Sequence, residues 1–83
     1  MPIVNRLGLH ARPAAEFVKT AGRFHASVMV RKDALEVNGK SIMGMMMLAA
    51  ECGSSLTIRA EGEDAEAALE ALQVLVAAGF GED

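Results

Sequence analysis

GLHARPAAEFVKTA, running from Gly8 to Ala21, is the stretch from which the rest of the chain can be ordered. Pro13 holds φ near the helical value and disfavours the helical basin at the residue before it. A helix is therefore expected to start around Arg12 or Pro13, with Pro13 in its first turn. Ala14, Phe17, Val18 and Ala21 follow at the spacing of one buried helix face, and Gly22 ends the segment. His10 then stands at the helix entrance, where unused N–H groups and the positive end of the helix dipole favour an anion. Arg12 adds a permanent positive charge and a planar fork of donors suited to phosphate oxygens. A neutral imidazole is a good nucleophile for phosphorus, and the phosphoimidazole it forms stays reactive enough to pass the group on. From His10, Arg12 and Pro13 alone, a solvent-facing loop histidine beside an ordinary helix start is an equally good reading.

On the N-terminal side, Met1 to Val4 is a short β-prone stretch and Asn5 to Gly8 a loop. On the C-terminal side, Phe24, Ala26, Val28 and Val30 alternate with His25, Ser27, Met29 and Arg31, the pattern of a half-buried strand. A turn at Lys32 and Asp33 leads to a second strand at Leu35 to Val37. Asn38 and Gly39 turn the chain again, and Ser41 can N-cap a helix from Ile42 to about Ala50. In that helix Ile42, Met45, Met46 and Ala49 can face a core at helical spacing, which leaves Met43 and Met47 for the surface. Gly53 stops it. Leu56, Ile58 and Ala60 alternate with Thr57, Arg59 and Glu61 as a strand, and Asp64 can cap a last helix whose apolar stripe is Ala65, Ala68, Leu69, Leu72, Leu75 and Val76. The order βαββαβα, without repeat or linker, predicts one α+β domain over 1–83, with three helices on one face of a four-stranded antiparallel sheet whose first strand is short.

A chain of 83 residues is at the low end of what buries a self-sufficient core, so any chemistry must sit on its surface. Apolar residues are 52% of the chain, but charges interrupt every apolar run well before the roughly 18 positions of a membrane span. Neither a span nor a secretory signal is expected, and the lone Cys52 fits a reducing compartment, so the reading is cytoplasmic. A net charge of −3, with no Lys/Arg cluster and no Trp or Tyr, argues against nucleic acid as partner. His25 has the outward parity of its strand and reads as a solvated side chain. Cys52 reads as a small apolar filler, and Glu61, Glu63, Asp64 and Glu66 as a cap and a solvated helix start. No metal or cofactor site is expected.

GLHARPAAEFVKTA, NGKSIMGMMMLAAECG (Asn38 to Gly53) and AEGEDAEAALEAL (Ala60 to Leu72) together resemble the HPr family, the histidine-containing phosphocarriers of the phosphoenolpyruvate-dependent phosphotransferase system. The resemblance runs from about Asn5 to the end of the chain. It implies an open-faced β-sandwich, a transient phosphoprotein in place of an enzyme, and a monomer. It makes His10 the residue phosphorylated on Nδ1 by phospho-enzyme I, Arg12 the residue that steadies the phosphate, and the A domains of sugar permeases the acceptors. It also implies that Ala15, Ile42, Met43, Met46 and Met47 form an apolar docking patch, to which flexible thioethers are suited. Ser41 matches a serine that many members phosphorylate with an ATP-dependent kinase, so a serine kinase/phosphatase and a transcription regulator join the implied partners. The ending GFGED, Gly79 to Asp83, resembles the nitrogen-related branch, whereas the run from Lys40 to Met43 resembles the sugar branch. A regulatory binding module that carries no phosphate is the reading from another class; its family relatives lack the histidine. Members carry a longer segment ahead of the histidine loop than Met1 to Val4 supplies, so either the first strand is very short or the true start lies upstream, and with a short strand an incomplete edge beside Leu56 to Glu61 is expected.

Overall fold

The computed structural model describes residues 1–4, 10–48 and 53–81. Its elements are α1 (Ala11–Ala21), β1 (Ser27–Lys32), β2 (Leu35–Asn38), α2 (Ile42–Met47), β3 (Thr57–Glu61) and α3 (Ala65–Ala77), followed by a tight turn at Gly79–Gly81. The sheet is antiparallel, in the order β2-β1-β3. The alternation read from the sequence sets its faces. Val28, Val30 and Val37 point into the core against Ala14, Phe17 and Ala21 of α1, Met45 and Leu48 at α2, and Leu72 and Val76 of α3. On the other face Ser27, Arg31, Glu36, Asn38, Thr57, Arg59 and Glu61 meet solvent. There Arg59 reaches Glu36 at 3.4 Å and Glu61 at 3.8 Å, exposed ion pairs of small energetic weight.

Among the described residues the sheet has three strands, where four are expected. Met1 to Ile3 runs antiparallel to the approach to β3, with Ile3 N–H donating to Ser54 O (2.7 Å), Leu56 N–H to Met1 O (2.8 Å) and Gly53 N–H to Ile3 O (2.7 Å). Among the described residues of this segment, Pro2 alone makes a bridge, with Ser55. The segment pairs ahead of Thr57 and not along β3, while Ile3, 1% exposed, ties it to the core.

Three further expectations are corrected. The β1–β2 register pairs Lys32 with Leu35, so the turn is Asp33–Ala34, and Asp33 takes the left-handed φ of 55° that Asp tolerates better than most residues. Ile42 and Met46 do not face the core; each is 45% exposed. Met45 and Leu48 fill the inner side of α2, and Gly44 lies so close to Val37 and Asn38 that a Cβ would sit 3.3 Å from Val37 Cβ. Asp64 stands at the N-cap position of α3 but makes no side-chain cap bond. Its carboxylate instead accepts from the backbone N–H groups of His25 and Ala26, both at 2.8 Å, binding the segment between α1 and β1 to the start of α3. The expected end of α2 near Ala50 and the filler role of Cys52 lie outside the described residues.

α1 starts at Ala11, which places Pro13 third in the helix, where a missing N–H costs no helical bond. The buried face of α3 is Ala68, Leu72 and Val76. Beyond it Phe80, at a left-handed φ of 59°, turns back into the core and is 6% exposed.

Candidate functional site

The first turn of α1 carries the candidate phosphoryl residues, and α2 carries the candidate docking residues. His10 occupies the N-cap position in extended conformation, its carbonyl accepting from Ala14 N–H at 2.9 Å. An imidazole is a poor capping group, and His10 makes no side-chain cap bond. The ring is half-buried, and Nε2 is closed off from solvent. Ala11 and Arg12 contribute the first-turn N–H groups that the helix does not use, Pro13 having none. No acidic residue lies in that turn, and the exposed Arg12 guanidinium pairs with no carboxylate among the described residues. The local field therefore favours an anion beside the ring. Ala15 is exposed on the same helix.

On α2, Ile42 and Met46 are one helical turn apart, as are Met43 and Met47, and the four side chains make an apolar stripe 45–77% exposed. Met45, within the same run, is 0% exposed. Ser41 caps this helix as the sequence indicates, its Oγ accepting from Gly44 N–H at 3.1 Å. The approach to the cap is held from two sides. Lys40 N–H donates to Asn38 Oδ1 at 2.8 Å, and Lys40 Nζ donates to Phe24 O at 2.7 Å. Gly39 is buried against Val28 and Phe17, where a Cβ would come within 2.7 Å of Val28 Cγ1, so glycine is required at that turn.

Sequence reasoning did not single out Lys40 as a positioning residue. Its only local signal is its place between the Asn38–Gly39 turn and the Ser41 cap; its partner lies 16 residues away. An apolar cavity of about 190 Å³ lies between Met1, Pro2 and Val4 and the Gln73, Val76 and Ala77 side of α3, and its lining has no group capable of acid, base or nucleophilic work. Among the described residues no cluster of three His, Cys, Asp or Glu side chains could hold a metal, and no helix is long and apolar enough to cross a membrane.

Residues 1–78 match the family described as PTS HPr component phosphorylation site. The chain is 48% identical over 81 residues to the phosphocarrier protein HPr of Treponema pallidum, an alignment covering 98% of this chain and 92% of that one. It is 51% identical over 71 residues to the HPr-like protein Crh of Bacillus subtilis, covering 86% of this chain and 84% of Crh. The crystal structure of HPr-C-His from Thermoanaerobacter tengcongensis superposes with a TM-score of 0.95 at 48% identity, over 100% of this chain and 93% of that one. A histidine at a helix entrance, carried on this fold and matched along nearly its whole length, means that the chain belongs to the HPr family of phosphocarrier proteins of the phosphotransferase system.

Proposed function

We propose that the chain accepts a phosphoryl group on Nδ1 of His10 from phospho-enzyme I and donates it to the A domains of sugar permeases in the cytoplasm. The observation that carries this reading is the shielding of Nε2 at the mouth of α1. With the proton on Nε2, the Nδ1 lone pair attacks phosphorus. The bond between phosphorus and the donor breaks, and its electron pair leaves with the donor. Arg12 and the N–H groups of Ala11 and Arg12 balance the charge on the phosphoryl oxygens. The same steps in reverse deliver the group to the acceptor, so the chain needs no acid or base beyond the ring. The exposed stripe of Ile42, Met43, Met46 and Met47, with Ala15, is the docking surface for donor and acceptor. Ser41 at its rim is a brake, since a phosphoryl group there adds about two negative charges beside an apolar contact.

Incubation with phosphoenolpyruvate and enzyme I should give an acid-labile, base-stable phosphoprotein, and His10→Ala should take up no label. Label on the His10→Ala variant would show that another residue carries the group. The presence of His10 also favours a carrier over a purely regulatory module.

A further inference from the structure

Of the six methionines, the structure sorts those of α2 sharply by access. Met43 is 77% and Met47 65% exposed, Met46 is 45%, and Met45 is 0%. Met29 and Met1 are half-buried. Met43 and Met47 also lie one turn apart on one helix face, so their thioethers are neighbours. Thioethers open to solvent react with hydroperoxides, and the product differs from the reactant where this surface is sensitive: an apolar, pliable group becomes a polar one.

From this we infer that Met43 and Met47 are a reversible oxidation site, and that their conversion to sulfoxides by a hydroperoxide weakens docking at α2. In each step a sulfur lone pair attacks one peroxide oxygen and the O–O bond breaks. That oxygen stays on sulfur, and for hydrogen peroxide the other leaves as water with both protons. The sulfur is oxidised and the peroxide reduced. Reductases specific for methionine sulfoxide reverse the change: a dithiol is oxidised to a disulfide, the sulfur is reduced to the thioether, and the oxygen leaves as water with two protons. The fold is spared because the sulfurs that react lie on the outer side of α2, while Met45 inside is out of reach. Binding is not spared, because each sulfoxide oxygen must lose its water when a partner covers the stripe. The inference rests on the docking role given to this stripe above.

The test treats the protein with dilute hydrogen peroxide, quenches it, and adds dithiothreitol to return a sulfenic acid or disulfide at Cys52 to the thiol while leaving sulfoxides in place. Peptide mapping by mass spectrometry should find Met43 and Met47 oxidised first, Met46 later and Met45 last. Phosphorylation by enzyme I should then show an apparent KM raised roughly tenfold, with maximal rate and melting temperature unaltered. In a Met43→Leu/Met47→Leu variant, compared before and after peroxide, the KM should not move. Oxidation of Met45 in step with Met43 would overturn the inference, as would a peroxide-induced rise in KM that persists in the double leucine variant. Met43→Glu separates the two readings. If it raises KM while the sulfoxides do not, docking stands and the switch fails; if neither raises it, both fail together.

Discussion

His10 shows how one residue can be readable in kind and hidden in detail. Its place before Pro13 and beside Arg12 marks it as a candidate anion site in the sequence, because the helix start is a local property. Which ring nitrogen is covered is not local: Nε2 is closed off from solvent in the folded chain. Arg12 is the simpler case. It is exposed and unpaired among the described residues, so its loss should leave packing alone and act on charge. A hydrogen bond to a charged group contributes about 1.5–3 kcal/mol, which makes Arg12→Ala roughly ten- to a hundredfold slower in phosphoryl transfer. Rapid-quench transfer kinetics and a thermal melt check this: an unchanged rate removes Arg12 from the mechanism, and a lowered melting temperature assigns it a structural part.

Between elements, the instructive residue is Asp64. The pattern of Gly62, Asp64 and a following apolar stripe indicates a helix start, and α3 does start there. The same residue type serves both as a cap and as an acceptor for a distant loop, and only the tertiary fold decides; here the loop is 38 and 39 residues away. Donation by the His25 N–H, and less strongly by Ala26, holds the Asp64 carboxyl below its ordinary value, while partial burial pushes the other way. A depressed folded pKa contributes stability above the unfolded value, and that contribution is lost as pH falls through the folded one. Asp64→Asn should therefore melt at a lower temperature at neutral pH, with the gap to the parent closing in acid below the carboxylate range. A gap independent of pH would mean that the charge on Asp64 does not matter. The periodic signals were legible for a physical reason: each helix and strand writes its buried face into neighbouring residues, as Ala14, Phe17 and Ala21 do. The Lys40 bond to Phe24 O, the Asp33–Ala34 turn and the outward turn of Ile42 and Met46 depend on what lies across the fold, which the local pattern does not contain.

At the scale of the whole molecule, a core holds three helices on a sheet, and the proposed function is carried by the start of α1 and the outer side of α2. α1 and α2 pack against each other, so the helix that carries the proposed phosphoryl site lies beside the one that carries the methionine stripe. The proposed separation of recognition from stability can be tested by charging the stripe. Met43 is 77% exposed, so a charge there meets water in the free protein and should change stability by no more than about 0.5 kcal/mol. In a complex the same charge must be desolvated against an apolar contact, and association should weaken. Ser41→Asp works at the rim by a different route: it keeps an acceptor at the cap position facing Gly44 N–H and places a negative charge at a helix N-terminus that tolerates anions. Both variants should raise the apparent KM for phosphorylation by enzyme I, leave the maximal rate near that of the parent, and melt at nearly the parent temperature. Kinetics over a range of carrier concentrations, alongside calorimetry, read all three quantities. Parent-like KM values in both would remove the stripe from docking, and a large drop in melting temperature for Met43→Glu alone would make that side chain part of the core.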